Sequence, residues 1–394
     1  LQQVYPYMEA AAVPGMAICL LKDGCRDTTV DLDEVRDAIY LSSASLAGRL
    51  DMEKIRLAVD CWFQQDSLAK TLGKPAGQTE KVAQQWLARA GKRWRPFLAV
   101  CTCQALSGVD IDVMDDGLNK LAVAIECFHK ASLIHDDIED GDEFRYGMAT
   151  VHAKYGTAFA LNVGDFLLGE GYRLISECTD DGSAMAKMLA VASSGHRTLC
   201  LGQGDELWWT AHRGVISSVR VLEIFSRKTA PAFGVALQLG AIHAGADFAG
   251  ALESYSKALG IAYQIRDDMD DFFDRGDSND ATSSRLSVIL ALACELAEGS
   301  DAVLIENLWQ SSDGFDPGDE KVAAILKKLD LPARALTLLG RYKAEAIESL
   351  EMIGNAALKG LLRRVVGKIF YDFEIMGCCD DYSRGDAPHD SAGR

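Results

Sequence analysis

From about residue 51 to residue 376, apolar residues recur at three- and four-residue spacing, and this period constrains the fold more than any other feature. It is clearest over 119–135, 158–176, 185–201, 219–245, 250–273, 285–297 and 334–352. Breaks fall at Gly73-Lys-Pro75, Gly108-Val-Asp, Gly141-Asp142, Asp180-Asp-Gly182, Asp274-Arg-Gly276 and Ser311-Ser-Asp-Gly314. Only 8 prolines interrupt 394 residues, so long helices are permitted. No alternating strand pattern competes, and no fixed-period repeat is present. The expectation is an all-α domain over 51–376. Residues 1–50, broken by Pro6, Pro14, Gly15 and Gly24, read as an N-terminal extension packed on it. The polar, Gly-rich stretch 377–394 reads as a disordered tail.

Charge narrows the partners. With 58 Asp plus Glu against 40 Lys plus Arg, the net charge is −18. A general nucleic-acid surface needs the opposite sign, so no nucleic-acid partner is expected. A phosphorylated substrate would need a local basic pocket or bound cations. The 11 cysteines are odd in number and scattered, with no zinc-type spacing. They read as free thiols of a reducing cytoplasm. No apolar run reaches the length of a transmembrane segment. The first residues lack the basic start of a secretory signal.

Two aspartate clusters carry the chemistry. Asp136-Asp137-Ile138-Glu139-Asp140 ends the apolar stretch 119–135, and Asp267-Asp268-Met269-Asp270-Asp271 ends 250–266. Both read DDxxD. On a helix, positions i and i+4 stack on one face. Asp136 with Asp140, and Asp267 with Asp271, are therefore spaced to hold a hard cation. Mg²⁺ suits such donors, because it keeps several waters and takes substrate phosphates as its remaining ligands. A solvated acidic helix end is the plainer reading. Carboxylates at a helix C-terminus oppose the macrodipole, however, and like charges at i,i+4 repel. Stability does not explain placing them there twice, about 130 residues apart.

An anion held there needs cations. Lys92 and Arg95, in Gly91-Lys-Arg-Trp-Arg-Pro96, read as three apart on one face at a helix start. Arg145 follows Asp140 by five residues. Lys228-Thr229 lies in an apolar helix, where a lysine is out of place unless it meets an anion. His129 precedes Asp136 by seven residues, two turns back on the same face. Asp115-Asp-Gly117 reads as a helix cap.

These segments resemble, in order, the motifs of the trans-isoprenyl diphosphate synthases of the polyprenyl synthetase family. GKRWRP (91–96), HKASLIHDDIEDGDEFR (129–145), GQGDEL (202–207), RKT (227–229) and YQIRDDMDD (263–271) carry the resemblance, which covers about 55–370. It implies an all-α isoprenoid synthase-type helical bundle around a deep central cavity. It implies a Mg²⁺-dependent prenyltransferase joining an allylic diphosphate to isopentenyl diphosphate, in a homodimer with about three Mg²⁺ per active site. By position, Asp136, Asp137, Asp140, Asp267, Asp268 and Asp271 would hold or support the metal. Arg145, Lys228, Thr229 and Gln264 would bind the allylic diphosphate, and Lys92, Arg95 and His129 the isopentenyl diphosphate. Ionisation would fall to Asp136, Asp137, Asp140, Arg145, Lys228, Asp267 and Asp268.

Departures fall on diphosphate binding. Where the family usually carries a second arginine after Arg145, this chain has Tyr146, which supplies no fixed charge. The loop after the second cluster is short of the usual lysine, and Arg285 stands as a candidate replacement. A class I terpene cyclase and a non-catalytic subunit of a heteromeric synthase are the alternative readings; Tyr146 favours the first, and the complete aspartate clusters argue against the second. Product length should depend on the helix of the first cluster. Ser132 and Ala131, four and five positions before Asp136, are small, and Phe128 lies a turn deeper. A floor at Phe128 predicts a product of C20 or longer.

Overall fold

The structure, a computed structural model, describes residues 50–89, 91–212, 214–273, 286–310 and 320–372. The expected extension, apart from Leu50, and the expected tail lie outside the described residues. Fifteen α-helices account for nearly all of the described chain: α1 Met52–Trp62, α2 Gln65–Thr71, α3 Gln78–Ala88, α4 Trp94–Ser107, α5 Asp116–Asp140, α6 Val151–Tyr155, α7 Thr157–Ser176, α8 Gly182–His212, α9 Ser218–His243, α10 Ala249–Phe273, α11 Val288–Leu296, α12 Ser300–Gln310, α13 Glu320–Lys328, α14 Leu331–Ser349 and α15 Ala356–Phe370. The protein is all-α, as the spacing predicts. None of the described helices is long and apolar enough to cross a membrane.

The boundaries have local causes. Asp115 caps α5, its carboxylate accepting from Leu118 N at 3.0 Å. Gly141 ends α5 in the left-handed conformation, φ 72°. Helix α8 runs well beyond the apolar stretch 185–201, because its polar second half still finds partners on α9. The sequence hides one element. Phe144–Arg145 (β1) pairs antiparallel with Met148–Ala149 (β2), in register Phe144↔Ala149. The two-residue turn places Tyr146 at φ 55° and Gly147 at φ 71°, as a type I′ hairpin turn requires. Two-residue strands are too short to show alternation.

Helix α9 packs against α4, α8 and α10, α5 packs on α7, and α10 packs on α14. Two glycines let α9 be approached closely around Lys228. A Cβ on Gly202 of α8 would stand 2.5 Å from Lys228 N, and one on Gly260 of α10 would stand 2.7 Å from Ala230 N. Both contacts are with backbone that cannot swing aside, so the Lys228 turn is clamped from two sides. Pro231 lies inside α9 and leaves the Arg227 carbonyl without its helical donor. A second apolar cluster joins α9 and α10 to α11, α13 and α14 through Ile224, Ile261, Ile265, Val288, Ile325 and Leu331.

Candidate active site

The first cluster occupies the last two turns of α5. Asp136 is half-buried and Asp140 exposed, on one helix face. Burial pushes the Asp136 carboxyl up to about 6; Glu139 and Asp140 add to the rise, while Lys228 and Arg145 oppose it. Removal from water disfavours the charged form, and the two acidic neighbours add to that cost. Asp137 points elsewhere. It is fully buried and ion-paired with Arg145 Nε, whose Nη2 also reaches Asp142 at 3.5 Å. Asp137 thus orients Arg145, while its Oδ2 has no hydrogen-bond partner.

That raised value carries a stability consequence. Because the folded pKa of Asp136 lies above its ordinary 3.8, the folded state binds the proton more tightly. Stability from this group is therefore present at low pH and lost as pH rises from about 4 to about 6. In the metal-free protein above pH 7, Asp136→Asn is expected to gain about 3 kcal/mol, at 1.36 kcal/mol per pH unit between 3.8 and about 6, and to melt a few degrees higher. Thermal melts in EDTA at several pH values check this; a lower Tm for the variant would show that the charge is not strained.

On α9, Lys228 is ion-paired with Glu206 of α8. The GQGDEL segment is fully engaged: Gln203 Nε2 donates to Glu139 at 2.8 Å, and Asp205 receives Arg220 and Arg227, each at 3.1 Å. Thr229 and Gln264 are half-buried on α9 and α10. In the second cluster, Asp267 accepts from Arg266 Nη2 at 2.7 Å, and Arg266 also donates to Ile369 O. Asp268 has a different task. Its Oδ2 accepts from Val288 N at 2.7 Å, Ile289 N at 3.3 Å and Ser287 Oγ at 3.1 Å, which caps α11. The Asp271 side chain and Arg285 lie outside the described residues.

Arg95 and His129 meet, Nη1 standing 3.1 Å from Nε2. Arginine only donates, so Nε2 is the unprotonated nitrogen and Nδ1 carries the proton. Burial, with Arg95, Lys130 and Arg145 nearby, holds His129 well below the usual imidazole range, so the ring stays neutral. Burial likewise pushes Arg95 down to about 10. Lys92 corrects the sequence expectation. Helix α4 begins only at Trp94, so Lys92 is an exposed residue of the preceding turn and shares no helix face with Arg95. The intervening Arg93, at φ 40°, turns back to donate to the carbonyls of Leu87, Ala88 and Arg89 that end α3.

Three site residues lie within the quoted motif segments but have no role in the sequence reading: Glu206, Arg266 and Lys130. The signal for Lys130 was available. It stands between Cys127, Ala131 and Ile134 on an apolar helix, the same anomaly that singles out Lys228.

Among the described residues no three metal-ligating side chains converge. A cation at Asp136 and Asp140 would therefore take the rest of its shell from water and phosphate. Mg²⁺ fits this donor set, since it binds through one or two carboxylates plus phosphate oxygens. It would also relieve the like-charge crowding on Asp136.

Comparison with known proteins shows the family and the fold. The polyprenyl synthetase family model matches residues 77–329. The chain is 27% identical over 300 residues to a geranylgeranyl diphosphate synthase of Methanosarcina mazei, covering 72% of this chain and 87% of that protein. It is also 27% identical over 282 residues to an octaprenyl diphosphate synthase of Haemophilus influenzae, covering 69% and 82%. A crystal structure of geranylgeranyl pyrophosphate synthetase from Pyrococcus horikoshii superposes with a TM-score of 0.67 at 24% identity, covering 80% of this chain and 98% of that one. With a family match over more than half of its length, the chain belongs to the polyprenyl synthetase family of trans-prenyltransferases.

Proposed function

We propose that the protein condenses an allylic diphosphate with isopentenyl diphosphate and releases an all-trans prenyl diphosphate of C20 or longer. The observation that carries this reading is that α5 presents Asp136 and Asp140 on one face near Lys228 and Arg145 and, two turns earlier, His129, which meets Arg95 of α4. Two anion-binding sets along one helix suit two diphosphates.

Arg145, held by Asp137, and Lys228 bind the allylic diphosphate, with Thr229 and Gln264 beside them. Lys228 must first give up Glu206, so the lysine is presented in one place before substrate arrives. Arg95 and the Nδ1–H of neutral His129 bind the second diphosphate, with Lys92 reaching from the exposed turn. Asp136, Asp140 and Asp267 would hold Mg²⁺, with Asp137, Asp268 and Asp271 supporting them. When bound, Mg²⁺ supplies charge neutralisation of the departing diphosphate. Apolar walls exclude water from the allylic cation, the isopentenyl double bond attacks it, and the lost proton passes to the departing diphosphate. No protein base is required.

The described cysteines are free thiols, which supports a cytoplasmic setting. Leu161 on α7 and Leu201, Leu207 and Trp208 on α8 are exposed apolar side chains, which supports a homodimer.

The test is incubation with Mg²⁺, an allylic diphosphate and labelled isopentenyl diphosphate. A labelled, longer prenyl diphosphate is expected. A cyclised hydrocarbon with no label incorporated, or no turnover of either substrate, would overturn the reading.

A further inference from the structure

Lys130 is a cation that the reaction as described leaves unused. It follows His129 on α5 and is enclosed, at 1% exposure. Its carbonyl accepts from Trp86 Nε1 at 2.9 Å, which anchors this turn of α5 to α3. Its Nζ stands 5.2 Å from the Trp86 ring centroid and 5.4 Å from that of Tyr146. It also lies against the turn before α4, where a Cβ on Gly91 would be 3.6 Å from it. Aromatic faces attract a desolvated ammonium but do not neutralise it.

Among the described residues Lys130 forms no ion pair within 4 Å, and the charge around it is unbalanced. Burial, reinforced by Arg93, Arg89 and Arg145, pulls its pKa down, and Glu126 pulls the other way. Glu126, one turn earlier on α5, is buried. Its Oε2 has no hydrogen-bond partner. Burial pushes that carboxyl up, with Lys130, Arg95 and Arg93 opposing the rise. Three cations thus surround one carboxylate that is itself driven toward its neutral form. A buried ammonium with no close anion is costly unless an anion arrives.

The hairpin explains the arrangement. Tyr146 is at φ 55° in the β1–β2 turn and 58% exposed, yet its ring reaches Lys130. Resting on the proposed function, we infer that Lys130 supplies the cation that the β1–β2 turn lacks, binding isopentenyl diphosphate beside Arg95 and His129 under the ring of Tyr146. The charge sits on the helix and not in the turn, and the tyrosine ring lies 5.4 Å from it.

Steady-state kinetics with both substrates varied, together with thermal shifts, test this. Lys130→Met is expected to raise the KM for isopentenyl diphosphate about ten-fold or more, the scale of one charge-assisted hydrogen bond. The KM for the allylic substrate should stay within about two-fold. In the Lys130→Met background, Tyr146→Arg should recover most of the lost affinity by returning a cation to the site. If Lys130 only balances Glu126, Lys130→Met lowers Tm, Glu126→Gln restores it, and the two KM values move together; that result overturns the inference. Thermal stabilisation by isopentenyl diphosphate alone separates this inference from the proposed reaction. If stabilisation is lost in Lys130→Met while the unchanged protein makes no product, the reaction is wrong and the binding site stands.

Discussion

Asp136→Ala and Asp267→Ala are each expected to lower kcat by about three orders of magnitude or more, and excess EDTA to abolish turnover of the unchanged protein. The two residues sit in different settings. Asp136 is the strained carboxylate of the first cluster, pushed up to about 6 by burial and its acidic neighbours. Asp267 is held by Arg266 at 2.7 Å, a cation in place before any metal. Removing either carboxylate leaves a diphosphate whose departing charge is poorly neutralised. Each ten-fold in rate is 1.36 kcal/mol, so a loss of several kcal/mol gives the expected size. Asp268→Ala should fail differently. Its carboxylate caps α11 through three donors, so about 1 kcal/mol of stability goes with it and Tm falls. Rate and Tm measured together on the three variants separate these effects. Full activity in EDTA, or an Asp136→Ala enzyme within about ten-fold of the unchanged one, would remove the basis for a metal-assisted reaction.

The three aspartates Asp136, Asp137 and Asp268 show how far the sequence could be read. The DDxxD spacing placed Asp136 and Asp140 on one face because helical geometry is local and the period of α5 is unambiguous. The same spacing did not separate a strained carboxylate from Asp137, which is buried to hold Arg145, or from Asp268, which caps a helix twenty residues on. Those roles depend on what other elements bring to the carboxylate. Helix α11 reaches Asp268, and the β1–β2 hairpin carries Arg145 back to Asp137. The hairpin itself left no pattern, since two residues per strand show no alternation and Tyr is not a usual residue for positive φ. Lys92 illustrates the opposite failure. The spacing of GKRWRP looked helical, but Arg93 at φ 40° turns the chain just before α4 begins. The long helices were legible because burial of an apolar stripe requires a 3.6-residue period wherever the helix lies.

Product length is expected to answer to three residues of α5 in three different ways. Ser132, four positions before Asp136, is exposed on the same face, its hydroxyl donating to His129 O at 2.8 Å. A chain growing away from Asp136 meets this face first. Ser132→Phe is therefore expected to shorten the product to about C15, because an added ring fills the path. Ala131 is fully buried. Ala131→Phe would overpack an enclosed site, costing about 1–3 kcal/mol, and should appear chiefly as a lower Tm. Phe128 packs across to α7, as a large ring one turn deeper can. Its ring lies edge-on to Tyr172 at 4.9 Å, and a Cβ on Gly171 would come within 2.6 Å of it. Tyr172 in turn hydrogen-bonds His196 of α8 at 3.0 Å. Phe128, Tyr172 and His196 thus form a layer that ties three helices together, a firmer floor than one ring alone. Phe128→Ala opens that layer and should lengthen the product beyond that of the unchanged protein. Chromatography of the dephosphorylated products reads all three variants. A wild-type product that stops at C15, or a Phe128→Ala distribution identical to wild type, would place the elongating chain on another face of α5.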